Sequence, residues 1–275
     1  MSIQQAQVKN GWQARLELRY TVAGERTLLS HRHAGPLRVQ RPFFPEGPVN
    51  HTYLLHPPGG LVGNDILQTS AQVERNAQVL ITTPGATKAY RNICDASVIE
   101  QRFDVGGVLE WLPQEVILFD GSRLNSKTVF NLTSDAKLLA WEIQCLGRPV
   151  GEFPYVSGNA NFGTVISIDG KPLLDDRLVL TGGAPIMSSP WGLNNATALG
   201  AMHAYPADTA LRDVARTALA GAQSNATATL LDDLLVIRAL GRQGQDIRRI
   251  FLKAWQALRP VLLNRMPCPP RIWAT

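Results

Sequence analysis

Residues 56–91, HPPGGLVGNDILQTSAQVERNAQVLITTPGATKAYR, carry the clearest turn and strand signals in the chain. Both of its ends are rich in glycine or proline, whereas the interval between them has strand character and no helical periodicity. Glycine allows a positive φ or a close backbone approach, and proline fixes φ. The pattern therefore predicts two rigid turns that bracket strands. The first turn presents a single acid, Asp65.

Strand signals extend in both directions from this stretch. Apolar residues alternate with mostly polar ones from Trp12 to Val22, which predicts a half-buried strand. Further strand-like runs continue to residue 181, with turn signals about every ten residues. This recurrence predicts a mainly β core, organised as a sandwich, a barrel or a β-helix. The chain shows no exact repeat, so the sequence alone does not support a regular solenoid.

The residue composition changes after residue 181. Residues 182–207 are rich in Gly, Pro, Ser and Asn, which predicts a mobile loop. Asp208 is placed to cap a helix, and a second helix is predicted from about Gln245, with Pro260 expected to kink or end it. We expect one domain over residues 1–275: a β-rich core (1–181), the loop (182–207), and two helices with strands and a C-terminal tail (208–275).

Composition describes an ordinary globular protein. Of the 275 residues 45% are hydrophobic and 18% are charged, and the net charge of +5 does not by itself indicate a nucleic-acid partner. The polar N-terminus MSIQQAQVKNGWQ has no apolar core of a signal peptide, and no apolar run approaches the roughly 20 residues of a membrane span. Three widely spaced cysteines indicate neither a disulfide framework nor a zinc site. We expect a soluble cytoplasmic protein.

Motifs of common catalytic sites are missing from the sequence, including the nucleophile elbow, the phosphate loop and H-E-x-x-H. His31 and His33 have a spacing that a metal pair could use, but without further Cys or His nearby a surface pair is the simpler interpretation. Acids in apolar surroundings, such as Glu110 and Glu142, are informative because a buried carboxylate is costly unless it is paired or ligating. For any single acid, an ion pair is the simpler explanation.

The C-terminal segment is basic. Against the single acid Asp246 it carries Arg238, Arg242, Arg248, Arg249, Lys253, Arg259, Arg265 and Arg271. A solvated face or a protein-docking surface explains this pattern better than nucleic acid does, since the aromatic residues here are few. The tail ends on an exposed-looking Trp273, and Trp and Arg are favoured interface anchors.

Six blocks follow one another along nearly the whole chain: GPLRVQRPFFPEG (35–47), HPPGGLVGND (56–65), TTPGATKAYR (82–91), LEWLPQEVILFDG (109–121), AWEIQCLGRPVGEF (140–153) and PRIWAT (270–275). Together they resemble the urease accessory protein UreD family, called UreH in some organisms. Two departures stand out: Asn64 replaces the second glycine of the usual Gly-Gly-Asp, and GRPVGEF is compressed. Neither departure removes an acid.

The resemblance implies a non-enzymatic chaperone that binds apo-urease and joins UreF and the GTPase UreG to assemble a dinuclear nickel centre. It implies a β-helical fold with two helices and an internal, water-filled route for nickel. No tightly bound cofactor is expected, only transient Ni²⁺. The expected partners are UreF, UreG and the apo-urease subunits in a hetero-oligomer, with a dimer of UreD–UreF–UreG as one arrangement. Neither nucleic acid nor membrane is expected.

Three acids match acidic positions of the family pattern, and we predict that they line or gate the nickel route: Asp65, Glu142 and Asp176. Isolated carboxylates suit transit, because strong His or Cys sites would trap the ion. The tail residues Arg271, Ile272 and Trp273 are candidates for the UreF contact. The remaining motif residues are assigned structural roles: Gly59, Gly60, Gly63, Thr83, Pro84, Gly85, Lys88 and Arg91.

Two other classes of function remain open at this stage. The first is a β-rich glycan hydrolase that uses Asp65 with Glu115 or Glu142. An aromatic content of only 7% argues against a sugar-binding cleft. The second is a basic nucleic-acid-binding module, which the C-terminal charge alone permits.

Overall fold

The computed structural model describes residues 11–148, 151, 153–221 and 225–274. Within them the chain is mainly β, as predicted. The strands are β1 (Gln13–Ala23), β2 (Arg26–Ala34), β3 (Arg38–Val39), β4 (Asn50–Leu55), β5 (Gly60–Leu61), β6 (Ile66–Val73), β7 (Gln78–Thr82), β8 (Thr87–Ala89), β9 (Ser97–Val105), β10 (Val108–Trp111), β11 (Val116–Leu118), β12 (Arg123–Leu132), β13 (Lys137–Leu146), β14 (Asn159–Ile168), β15 (Lys171–Thr181), β16 (Ala198–Tyr205), β17 (Asn225–Leu231) and β18 (Leu234–Gly241). The two α-helices are α1 (Thr209–Leu219) and α2 (Gly244–Leu263).

The centre of the fold is a β-helical coil. Strands β6, β9, β12 and β14 lie parallel in one sheet, whose full order is β15-β14-β12-β9-β6-β1-β2. Strands β4, β7, β10 and β13 lie parallel in a second sheet, which continues through β16 and β18 to β17. The short strands β5, β8 and β11 form a third, narrow face between them. The chain thus winds from face to face.

Each coil takes 29 or 30 residues on the second sheet, where Asn50 pairs with Val79, Gln78 with Val108, and Val108 with Lys137. This geometry confirms the predicted β-helical arrangement. The barrel-like variant is not realised in the described ranges, because both sheets end in open edges and do not close. The coil does not need a sequence repeat, since backbone hydrogen bonds stack the strands whatever side chains they carry.

Two apolar layers hold the fold together. Side chains between the two sheets form one core, which includes Phe103, Phe130 and Leu138. The outer face of the second sheet packs against the helices through a second core, which includes Trp141 and Phe251. Strand β13 lies between both cores and is therefore apolar on both faces, as expected for a strand covered on two sides.

The helices begin and end for identifiable reasons. The Asp208 carboxylate accepts a hydrogen bond from the Leu211 N–H at 2.8 Å, so the predicted N-cap of α1 is confirmed. Pro260 does not end α2, which continues to Leu263 and stops at Asn264 in the left-handed region (φ 53°). Proline removes one hydrogen bond near the helix end, and the burial of Leu262 and Leu263 offsets that loss. No helix in the described part of the chain is long and apolar enough to span a membrane.

The segment 182–207 is not a loop throughout, which corrects the prediction. Residues 198–205 form β16, a strand between β13 and β18 whose side chains are almost all buried. Its small residues allow close packing: a Cβ on Gly200 would lie 2.8 Å from the Glu142 carbonyl oxygen and from the Phe251 ring. Glycine and alanine here serve tight layer packing, although in sequence they resemble a flexible loop.

Candidate functional site

Asp65 closes the first glycine-rich turn. Its side chain is nearly buried (3% exposed), and it accepts hydrogen bonds from the Trp12 N–H at 2.7 Å and the Val62 N–H at 2.8 Å. The preceding Asn64 adopts a left-handed φ of 66°, a conformation that asparagine tolerates better than most residues other than glycine. Both carboxylate oxygens of Asp65 therefore accept hydrogen bonds from the backbone.

The motif glycines in this turn are required by space or by conformation. Gly59 has a φ of 74°. A Cβ on Gly60 would lie 2.2 Å from the Tyr90 ring, and one on Gly63 would lie 2.7 Å from the Cys94 Cβ. The contact of Gly60 with Tyr90 shows that the first turn packs directly against the second one.

The second turn is held by its threonine and its arginine. Thr83 Oγ1 accepts a hydrogen bond from the Gln114 N–H at 2.9 Å, which ties the turn to the next coil. Arg91 pairs with Asp120 at 2.7 Å. The residues between them, including Pro84, Gly85 and Lys88, line an interior cavity.

This cavity, of about 350 Å³, extends from the exposed Pro84–Gly85 turn into the coil. Its polar lining includes His56, Lys88, Gln101 and Glu142, and Trp111 forms part of the wall. Among the described residues that line it, Glu142 is the only carboxylate. Burial lowers the pKa of His56, although the nearby Asp65 charge opposes the shift. The cavity thus combines an apolar wall with a few polar groups, as small-ligand and ion sites commonly do.

Glu142 lies deep in the coil on the inward face of β13. It accepts hydrogen bonds from the Thr128 hydroxyl at 2.5 Å and the Thr164 hydroxyl at 3.1 Å. Burial raises the pKa of the Glu142 carboxyl, and these hydrogen bonds only partly offset that effect. The Trp111 indole N–H approaches Glu142 but makes no hydrogen bond of normal geometry within the described structure. Since Glu142 is only half-buried, its accessible surface faces the cavity.

A row of polar side chains crosses the inner face of the first sheet. In register from β6 to β15 it consists of Thr69, Gln101, Thr128, Thr164 and Asp176. Its last member, Asp176, forms a 2.8 Å ion pair with Arg238 of β18, which links the edge strand β15 of the first sheet to the second sheet. We call this set the interior row. It leads from the cavity to a half-exposed edge of the coil.

The three predicted metal residues are therefore only partly brought together. Glu142 touches the interior row through Thr128 and Thr164, and Asp176 ends the row. Asp65 lies outside both the row and the lining of the cavity, where it holds the turn. Across the ranges the structure describes, no three His, Cys, Asp or Glu side chains converge to hold a metal ion. The acidic residues in the sequence did not indicate the interior row, because threonine and glutamine form most of it.

The tail residue Trp273 is docked on its own chain, which corrects the expectation of an exposed side chain. Its indole N–H donates to Thr82 Oγ1 at 3.0 Å, and its ring lies 5.7 Å from the Trp141 ring and 5.9 Å from the Trp255 ring. Arg271 is exposed and Ile272 is half-buried. The tail is tied down because the aromatic groups on the outer face of the second sheet offer it a site.

A buried charge network, which sequence reasoning missed, fixes α2 to the sheet. Arg259 is fully buried and donates to both Glu110 oxygens at 2.9–3.1 Å and to Glu46 at 2.6 and 2.8 Å. The Trp255 indole N–H donates to Glu110 at 2.6 Å, and Arg259 also reaches the Met266 carbonyl. The only signal in the sequence was that Glu46 and Glu110 stand in apolar surroundings.

The acids required by a two-carboxylate hydrolase do not meet. Asp65 is engaged by backbone N–H groups. Glu115 lies beside Gly244 at the start of α2, close to Cys145 of the helix-facing core. Glu142 points to the opposite side of the same sheet, into the coil. The arrangement therefore does not bring these carboxylates together as an acid–base pair.

Comparison with known proteins gives a consistent result over the whole chain. The family model described as UreD urease accessory protein matches residues 13–274. A urease accessory protein UreD of Citrobacter koseri is 44% identical over 270 residues, covering 96% of this chain and 92% of that protein. One from Klebsiella aerogenes is 42% identical, covering 98% of each chain. One from Pseudomonas entomophila is 41% identical, covering 99% of this chain and 98% of that protein.

Proposed function

We propose a function on one premise: this chain belongs to the UreD family of urease accessory proteins. Family membership supports a role in urease maturation. We propose that the chain acts there as a cytoplasmic, non-enzymatic scaffold and metallochaperone. In this role it binds apo-urease and, together with UreF and UreG, assembles the nickel centre while passing Ni²⁺ through its interior.

The observation that carries this proposal is the interior row. It connects a cavity inside the coil, where Glu142 has accessible surface, with Asp176 at the edge. Nickel is the cargo of such a path and not a resident group. A protein that only bridged two partners would have no need of polar side chains through its core, since buried polar groups are costly unless satisfied.

The chemistry of the row suits an ion that must leave again. Hydroxyl, amide and single carboxylate oxygens are weak ligands for Ni²⁺, which prefers imidazole and thiolate donors. Asp65 contributes indirectly in this scheme: it holds the turn whose Gly59 forms part of the cavity wall.

Replacing Glu142 by glutamine tests the nickel path. The amide keeps the size of the side chain and removes the charge, so folding and partner binding are expected to persist. We expect urease activation at limiting Ni²⁺ to fall, and excess Ni²⁺ to restore it partly. Glu100→Gln, on the outer face of β9, is the matched control and should leave activation unchanged. Equal activation by both variants at limiting nickel would refute the path through Glu142.

Co-purification tests the scaffold separately. The full chain should retain apo-urease when UreF is present, and it should do so equally in the Glu142→Gln variant. Failure to retain apo-urease under any combination with UreF and UreG would overturn the scaffold role. Alanine at Asp65 and at Asp176 completes the series. We expect Asp176→Ala to reduce activation, and Asp65→Ala to act through lost stability.

A further inference from the structure

The interior row ends beside a histidine that the proposed path does not use. His203 lies on β16, which pairs with β13 on one side and β18 on the other. Its neighbours on the same face, Leu199 and Tyr205, pack in the core between the sheets, whereas the alternate residue Met202 packs under the helices. Because side chains alternate along a strand, His203 points into the coil.

Strand pairing places His203 close to Glu142 and Arg238 on the inner face of the second sheet. On the second sheet Ala201 pairs with Glu142 on one side and with Arg238 on the other. Ala201 faces inward, yet it keeps accessible surface, as do Glu142 and Asp176. The short Ala201 side chain thus lies between the longer side chains of Glu142 and Arg238, and Arg238 in turn pairs with Asp176.

The imidazole of His203 is prepared for a ligand by its surroundings. Its side chain is 2% exposed, and its Nε2 has no hydrogen-bond partner in the described structure. Burial lowers the pKa of His203 to about 4, with Asp176 opposing and Arg238 adding to the effect. A buried ring nitrogen without a partner is costly. Neutral imidazole is also a preferred donor for Ni²⁺.

We propose that His203 and Asp176 form a two-ligand waypoint for divalent nickel at the outlet of the interior row, and that Arg238 closes it by pairing with Asp176 while no ion is there. The identity of the ion rests on the proposed function. Two protein ligands hold an ion more weakly than a closed three- or four-ligand site, which suits release. The Arg238 side chain is 55% exposed, so it is free to swing into solvent when an ion takes its place.

Ring NMR of the full-length chain tests this waypoint directly. The protein is labelled with ¹⁵N in its histidine rings and titrated with Ni²⁺, which broadens the signals of nearby nuclei. Of the five histidines, His31 and His33 form an exposed stacked pair with ring centroids 6.1 Å apart. Both are replaced by Gln in the parent protein, so that this surface pair cannot bind the ion.

We expect one histidine signal to broaden first and to be missing in His203→Gln. Both His203→Gln and Asp176→Asn should raise the Kd for Ni²⁺ about 10-fold or more, since even outer-shell partners of a ligand typically contribute about 10- to 100-fold. Arg238→Gln should lower the Kd up to about 5-fold, because it removes an ion pair of surface strength. Asp176 and Arg238 lie at a half-exposed edge, so we expect their variants to fold. They therefore test the waypoint even if the buried His203→Gln variant does not fold.

Unchanged Ni²⁺ affinity in Asp176→Asn and Arg238→Gln, or broadening of another histidine only, would overturn the waypoint. These results are independent of urease activation. If the waypoint binds Ni²⁺ but the chain proves dispensable for activation, the proposed function fails and the site remains. If activation depends on the chain but His203 never senses Ni²⁺, the waypoint fails alone.

Discussion

Replacing Arg259 by methionine isolates the charge network that fixes α2 to the second sheet. The guanidinium is fully buried and contacts both the Glu110 and the Glu46 carboxylates. Methionine has a similar length and no donors. The two carboxylates would then remain in or near the core without their common partner, and the Met266 carbonyl would lose its donor as well.

The expected loss of stability follows from two lines of reasoning. Removing one partner of a buried ion pair typically costs about 3–5 kcal/mol. Burial raises the pKa of Glu46, but hydrogen bonds from His51 and Arg259 outweigh it and lower the pKa from 4.5 to about 2. At about 1.4 kcal/mol per pH unit this corresponds to about 3 kcal/mol, or about 2 kcal/mol after allowance for solvent screening. We expect Arg259→Met to lower the free energy of unfolding by about 4 kcal/mol, since it also leaves the buried Glu110 without its cationic partner.

Guanidinium chloride unfolding, followed by tryptophan fluorescence, measures this loss. Trp255, which donates to Glu110, is one of the six tryptophans that contribute to this signal. Arg19→Met is the matched control, because it breaks the exposed Arg19–Glu74 pair. That pair should contribute about 0–1 kcal/mol.

A charge-free variant separates lost charge pairing from lost packing. Adding Glu46→Gln and Glu110→Gln to Arg259→Met removes the stranded carboxylates, and we expect it to recover about 2 kcal/mol or more, as replaced buried ion pairs commonly do. Two results would refute the reasoning. One is a cost of Arg259→Met that does not exceed that of the surface control. The other is a charge-free variant as unstable as Arg259→Met itself.

Acidification, the first turn and the tail give further tests. Because the pKa of Glu46 is lowered to about 2, its contribution to stability is complete above about pH 4.5 and is lost as the pH falls towards 2. In Glu46→Gln, the free energy of unfolding should therefore depend less on pH across this range. Asp65→Ala should cost about 1–3 kcal/mol, because it leaves two backbone N–H groups without their acceptor, and hydrogen exchange at Trp12 and Val62 should accelerate. Trp273→Ala should cost about 2 kcal/mol by thermal unfolding, given its half-buried ring. Arg271→Ala, which is exposed, should leave stability unchanged and reduce co-purification with UreF if the predicted tail contact holds.

Strand content, the two helices and the rigid turns were predictable from sequence because they depend on local patterns. Alternating residues from Trp12 to Val22, the cap at Asp208 and the glycines at 59–63 each act within a few positions. Strand β16 was missed for the opposite reason. Its glycine and alanine resemble a loop locally, and only the neighbouring layers explain them.

The candidate site was predicted in part. Glu142 and Asp176 were chosen as acids of a family pattern, and the structure connects them through Thr128 and Thr164. Asp65 was chosen on the same grounds, but its carboxylate accepts hydrogen bonds from backbone N–H groups. Nothing in a linear pattern distinguishes a carboxylate that faces a cavity from one that holds a turn, since both stand in apolar, glycine-rich surroundings.

The fold class, the turns and the family could therefore be inferred from local patterns and motifs in the sequence. Which face of each strand points into the coil, and so which polar side chains line up there, became known only from the three-dimensional packing. The physical reason is register: residues about 30 positions apart become neighbours by hydrogen bonding between coils. Only that stacking places His203 and the threonine and glutamine side chains of the interior row close to Glu142 and Asp176.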